Sequence, residues 1–173
     1  MKIAGLVGSA AVSGALVALI MLPVLPVADY ARTDLPDAVP DVANQAGWPD
    51  FVTTVEGVVS ALPPEERHHA VILTDNYSEA SPLILLGTGL PPVYSGHNSY
   101  WDWGPPVADS TVVVHVGSWA AADFGRYFVG CRQAARIGNR YGMDNDERGK
   151  VVSVCSGIRT AWASMWPKLR TIS

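Results

Sequence analysis

The sequence is poor in charge. Asp, Glu, Lys and Arg make up 16% of its 173 residues and hydrophobic residues 49%, where charged residues usually reach about a quarter. This composition excludes a disordered tail and fits one globular unit. The two cysteines form no CxxC pair, so a cysteine-rich zinc module is excluded. The net charge of −4 gives no support for binding nucleic acid.

Charge is absent altogether from residues 3–28. As a helix, this run is long enough to cross a hydrocarbon core of about 30 Å, so it predicts a transmembrane anchor over residues 1–28. Ala10, Gly14 and Ala18 lie on one helical face, a small-residue stripe that lets another transmembrane helix approach. The alternative is a cleaved secretory signal, since Lys2 precedes the apolar run.

The charges that flank this run predict the location of the remaining chain. Lys2 lies on one side and a group of aspartates on the other, so the positive-inside rule places the carboxy-terminal domain outside the cytoplasm. The expected localisation is therefore the cell membrane, with a single pass and contact with the lipid bilayer. Cys131 and Cys155 fit this location, where they form a candidate disulfide, although two buried free thiols are the alternative.

The rest of the chain predicts an α/β domain. Residues 29–50 contain Pro36, Pro40 and Pro49 among aspartates and form an extended linker. Residues 51–173 then alternate between helical and strand patterns, which favours a three-layer α/β domain with a mostly parallel sheet. The predicted helices cover residues 51–62, 76–86, 120–128 and 161–169, and the predicted strands cover residues 69–74, 92–94, 111–116, 131–137 and 150–155.

Basic residues concentrate near the carboxy terminus. Residues 1–125 have three basic and thirteen acidic residues, whereas residues 126–173 have nine basic and three acidic ones. The basic third could face anionic lipid headgroups or a lipid-linked phosphate. The alternative is a set of ordinary solvated arginines.

The densest candidate for a binding site is the loop over residues 94–106. Four large aromatic residues lie there among polar ones, and its glycines and prolines exclude a simple helix. Aromatic rings stack on the apolar C–H faces of sugars while polar groups fix orientation, so the loop predicts binding of a sugar or peptide. The alternative is a hydrophobic plug in which Trp101 and Trp103 attach a long loop to the sheet.

Standard catalytic patterns are weak in this sequence. No glycine-rich run follows a strand as a phosphate loop does, and the pair His68 and His69 has no third metal ligand. The DND triplet at 144–146 has the form of a metal-binding DxD but is typical of a surface turn. His115, inside an apolar strand, is interpreted as a core histidine. We therefore predict no catalytic residue, no metal ligand and no cofactor.

Several segments resemble a known family. They are TDNYSEA (74–80), LPP (90–92), SGHNSYWDWG (95–104), YGMDNDERG (141–149) and WPKLR (166–170). Together they resemble the carboxy-terminal extracytoplasmic region of bacterial membrane glycosyltransferases akin to dolichyl-phosphate-mannose protein mannosyltransferases and aminoarabinose transferases. YWDWG (100–104) is also similar to an acceptor-binding motif of oligosaccharyltransferases.

The resemblance implies transfer of a sugar from a polyprenyl-phosphate carrier outside the cytoplasm. The family's catalytic loop is not matched, so the chain is expected to be a fragment or split subunit that is inactive alone. Its role would be to support recognition of the polyprenyl-phosphate sugar or of a glycan acceptor. The alternative is a non-catalytic, membrane-anchored interaction module that packs on a multi-spanning membrane protein. The predicted substrate-binding residues are Asn76, Tyr77, Glu79, His97, Asn98, Tyr100, Trp101, Asp102 and Trp103.

Overall fold

A computed structural model describes residues 2–22, 25–118 and 126–173. The chain divides into two compact units. The first comprises residues 1–47 and 139–146, and the second comprises residues 48–138 and 147–173.

The first unit is helical. Its helices are α1 (Lys2–Met21), α2 (Val27–Tyr30), α3 (Leu35–Ala38) and α4 (Pro40–Ala43). The charge-free run is divided between α1 and α2, and Pro26, with an extended backbone, lies directly before α2. Across the described residues, no helix combines the length and the apolar character needed to span a membrane. This finding contradicts the predicted transmembrane helix.

The segment predicted as an extended linker contains the short helices α3 and α4 and the end of α2. Pro36 and Pro40 lie in the first turns of α3 and α4, where a proline costs no hydrogen bond and its fixed φ suits the helix. Asn44, after α4, binds the DND triplet, since its Nδ2 donates to Asp146 Oδ2 at 2.8 Å and its Oδ1 accepts from Asp146 N at 2.9 Å. The triplet therefore holds this unit together.

The second unit contains a five-stranded sheet in the order β2-β1-β3-β5-β4. The strands are β1 (Ala70–Thr74), β2 (Val93–Ser95), β3 (Val112–Gly117), β4 (Phe128–Arg136) and β5 (Val151–Ile158). β1 is parallel to β2 and β3, whereas β5 is antiparallel to β3 and β4. The α/β class agrees with the prediction, but the sheet is mixed rather than mostly parallel. A connection as long as the segment between β4 and β5 permits either strand direction, so the alternation of helices and strands does not fix the direction of β5.

Helices cover both faces of this sheet, because successive side chains of β1 and β3 alternate between two apolar cores. Ile72 and Val114 face the core formed with α5 (Trp48–Ser60) and Leu83 of α7 (Tyr77–Leu86). Val71 and Val113 face the other core, formed with α8 (Trp162–Met165) and a 3₁₀ helix (Trp166–Leu169). A short helix α6 (Pro64–His68) precedes β1.

Most of the predicted elements of this unit agree with the structure within a few residues. The exceptions are the helix predicted at 120–128, of which residues 120–125 lie outside the described residues and Phe128 begins β4, and the last helix, which becomes α8 and a 3₁₀ turn at Pro167. Cys131 of β4 and Cys155 of β5 are direct partners in the strand register and form a disulfide.

Candidate functional site

The aromatic loop folds into a 3₁₀ helix (Asn98–Trp103) directly after β2. A 3₁₀ helix has three residues per turn, so Tyr100 and Trp103 lie on the same side. Their ring centroids are 4.2 Å apart at an interplanar angle of 35°. Trp103 is 65% exposed, so this pair offers an uncovered aromatic surface. Gly104 ends the helix at φ +89°, a conformation that favours glycine.

Trp101 has a different role from Trp103. It packs against the core that contains Trp166, and each indole Nε1 donates to the backbone oxygen of the other residue, at 3.1 and 3.2 Å. The guanidinium of Arg170 covers the Trp101 ring at 4.4 Å. The plug interpretation therefore fits Trp101, while Trp103 does not pack in either core.

A second ring pair lies at the start of α7. Tyr77, 45% exposed, is tilted against His97 with centroids 5.1 Å apart. His97 is buried, and its Nε2 is 2.7 Å from Ser173 Oγ. The two ring pairs are linked through Ser81, whose hydroxyl donates to the Tyr77 backbone oxygen at 2.8 Å and accepts from Tyr100 Oη at 2.9 Å. Both pairs thus lie at the carboxyl end of the parallel strands, where α/β folds usually bind ligands.

Asn76 and Glu79 serve the backbone rather than a ligand. The Asn76 side chain accepts from Glu79 N at 3.0 Å, and the Glu79 carboxylate accepts from Asn76 N at 3.1 Å, which is a complete capping box. Glu79 is 0% exposed, and its Oε1 accepts from Lys150 Nζ at 2.7 Å. Lys150 also binds Glu147 at 3.1 Å. This buried cluster fastens α7 to the start of β5.

The environment of this buried cluster shifts the pKa values of Glu79 and Lys150. Desolvation raises the pKa of Glu79 to about 7, against the opposing effect of Lys150 and with smaller support from the charges of Glu147 and Asp75. Desolvation lowers the pKa of Lys150, but the hydrogen bond and charge of Glu79 outweigh it and leave that pKa raised. The pKa of Glu79 therefore depends on the presence of Lys150, and the pKa of Lys150 depends on the presence of Glu79.

The remaining predicted binding residues, Asn98 and Asp102, have different positions and contacts. Asn98, at φ +51°, exchanges hydrogen bonds with the backbone of Thr171 and Ser173 and so holds the carboxy-terminal segment. Asp102 is exposed on the 3₁₀ helix. The structure thus brings Tyr77, His97, Tyr100 and Trp103 to one side of the unit through α7, and assigns Asn76, Glu79, Asn98 and Trp101 to structural contacts.

Sequence reasoning missed one group of polar residues. His115 Nε2 lies 2.7 Å from Asp75 Oδ1, and the other carboxylate oxygen accepts from Ser118 N at 2.6 Å. His115 is 1% exposed and is a core histidine as interpreted, but its partner is an acid at the end of β1. The position of Asp75 directly after a buried parallel strand was the available signal. Among the described residues, no group of three or more His, Cys, Asp or Glu is arranged to hold a metal ion.

Searches against models of known protein families, curated proteins and solved structures found no match. The resemblance to membrane glycosyltransferases therefore stays a prediction.

Proposed function

We propose that the chain is the sugar-recognising α/β domain of a polyprenyl-phosphate-sugar-dependent glycosyltransferase, and that it supports recognition of the acceptor or donor outside the cytoplasm. The observation that carries this proposal is the exposed Trp103 ring, which lies against the half-buried Tyr100 at the carboxyl end of the parallel strands. Aromatic rings usually bury their large apolar area, so the uncovered Trp103 ring favours a ligand that covers it. The Cys131–Cys155 disulfide supports a location outside the cytoplasm.

The contribution of Trp103 to the free energy of sugar binding can be calculated from the area that a ligand would cover. Covering about 100 Å² of an indole face is worth roughly 2.5 kcal/mol at 25 cal/mol per Å². A loss of part of this energy would weaken a sugar complex by a factor of 10 or more, since 1.4 kcal/mol corresponds to tenfold in affinity.

The test is a titration of the full chain with methyl α-mannoside, methyl α-glucoside, a linear mannotriose and farnesyl-phosphate mannose. Binding is followed by tryptophan fluorescence and by saturation transfer from protein rings to sugar C–H protons. We expect saturable binding of at least one sugar and a tenfold loss in Trp103→Ala. Val129→Ala, which removes an equally exposed apolar side chain at the far edge of the sheet, is the control.

Two results would contradict the proposal. One is the absence of a saturable response with every sugar. The other is equal binding by the wild-type chain and Trp103→Ala.

A second candidate function is an interaction module that packs on a partner protein. It is favoured by three consecutive apolar residues at the end of α7, since Ile84, Leu85 and Leu86 are 45%, 79% and 55% exposed. A photo-crosslinking amino acid at position 85 should then capture a protein in cells, while the same group at position 129 should not. Equal capture at both positions would argue against this function.

A further inference from the structure

A small cavity with both apolar and polar lining lies where β1 and β3 end. Its volume is about 40 Å³, and Asp75, His115, Thr74, Gly96, Leu169 and Thr171 are among its lining residues. We propose that this cavity is a ligand site in which the Asp75 carboxylate accepts a hydrogen bond from a single hydroxyl or ammonium group. The site is built from other residues than the exposed aromatic pair and does not depend on sugar binding there.

The Asp75 carboxylate is held in place by β3. Each of its oxygens accepts one bond from the protein, Oδ1 from His115 Nε2 and Oδ2 from Ser118 N. A carboxylate only accepts, so Nε2 of His115 carries the proton. A side chain at Gly117 would begin 2.2 Å from the carboxylate, so glycine is needed for this close approach. Each oxygen keeps a further lone pair, and the side chain is 17% exposed.

The Thr74 hydroxyl of the lining matches this chemistry. The Thr74 hydroxyl donates to the Asn76 backbone oxygen at 2.9 Å, so only its lone pairs remain for a ligand. Among the residues that the structure describes, the lining contains no Lys or Arg. A phosphate or carboxylate would meet the Asp75 charge with no cation to compensate it, whereas a donor group would satisfy a free lone pair.

The size of the cavity limits the ligand to a small group. About 40 Å³ compares with the roughly 10–15 Å³ that a cavity needs to hold one water molecule. A hydroxymethyl or aminomethyl group fits this space, and a whole sugar ring does not. The carboxy-terminal segment forms one wall, and its path depends on Gly96, where a side chain would begin 2.1 Å from the Leu169 backbone oxygen.

The experiment uses the full chain with ¹⁵N-labelled histidine, because the ring of His115 reports directly on its carboxylate partner. The probes are methanol, methylammonium and formate. We expect saturable shifts of the His115 ring signals with one or both donor probes and none with formate. Asp75→Asn should weaken the donor probes at least tenfold, and Asp102→Asn, which alters an exposed acid of the 3₁₀ helix, should not.

The two donor probes distinguish whether the group that binds Asp75 is an ammonium or a hydroxyl. Tenfold preference for methylammonium would identify an ammonium ligand, and similar affinities would identify a hydroxyl. Because Asp75→Asn could disturb the fold, Thr171→Met provides a second variant that narrows the cavity and leaves the carboxylate intact; it should also abolish the shifts.

The proposal is overturned if neither donor probe gives a saturable shift, if formate gives the same shift, or if both variants bind like the wild-type chain. Trp103→Ala should leave all three probe titrations unchanged. Failure here is therefore distinguishable from failure of the sugar titration.

Discussion

Removing Lys150 tests the buried charge cluster of the second unit. Lys150→Met keeps most of the side-chain volume but deletes the ammonium that lies 2.7 Å from Glu79 and 3.1 Å from Glu147. Glu79 has no exposed surface, so water cannot replace the lost charge. We expect the free energy of unfolding of this variant to fall increasingly below that of the wild-type chain as the pH rises.

The sign and the size of this loss of stability in Lys150→Met follow from the titration of Glu79. Its pKa is raised from 4.5 to about 7 on folding, so its contribution to stability is complete below pH 4.5 and is lost as the pH rises through 7. Without Lys150 the pKa rises further, and the loss continues above pH 7 at about 1.4 kcal/mol per pH unit. The deficit should therefore be about 1 kcal/mol at pH 5, mainly from the bond to Glu147, and roughly 3–4 kcal/mol at pH 9.

Urea unfolding at pH 5, 7 and 9 measures this deficit. Lys168→Met makes the same chemical change at an exposed position and should alter stability by less than about 0.5 kcal/mol at each pH. Glu79→Gln combined with Lys150→Met retains an acceptor for the capping box but removes the Glu79 carboxyl, so the part of the pH dependence that comes from Glu79 should vanish. A deficit in Lys150→Met that stays constant from pH 5 to pH 9 would refute this reasoning.

Four further variants test contacts of the second unit by urea unfolding. Replacing Cys131 and Cys155 by serine opens a disulfide between residues 24 apart in sequence and should cost about 3 kcal/mol; an unchanged midpoint would contradict this. Asn76→Ala removes the cap of α7 and should cost about 1 kcal/mol, whereas no loss would argue against the capping box. Trp101→Ala should cost about 2 kcal/mol and Trp103→Ala less than about 0.5 kcal/mol, since Trp101 alone packs in a core; equal losses would disprove the division between them.

Local pattern was enough to locate most elements of the second unit. The three- and four-residue spacing of apolar residues matches α5, and β-branched runs match β1 and β3. The capping box at Asn76 and Glu79 is present with both of its hydrogen bonds. These signals depend on residues fewer than five apart, so they can be read without knowledge of the fold.

Local sequence patterns gave wrong predictions where they were extended over longer distances. The absence of charge from residues 3–28 predicts a transmembrane anchor, yet none of the described helices is suited to cross a membrane. The alternation of helices and strands indicated a mostly parallel sheet, yet β5 enters antiparallel between β3 and β4. The direction of a strand in the sheet is not encoded in the local periodicity.

The candidate site shows most clearly what the sequence determines and what the tertiary structure determines. The sequence by itself determined that aromatic and polar residues concentrate after β2 and that Asn76 begins a helix. Only the tertiary structure decided that Trp103 is exposed while Trp101 packs against Trp166, 65 residues away. It also decided that Asp75 meets His115, because the parallel register places the ends of β1 and β3 side by side. Such contacts arise from strand order, and strand order is set by how all the apolar faces pack at once.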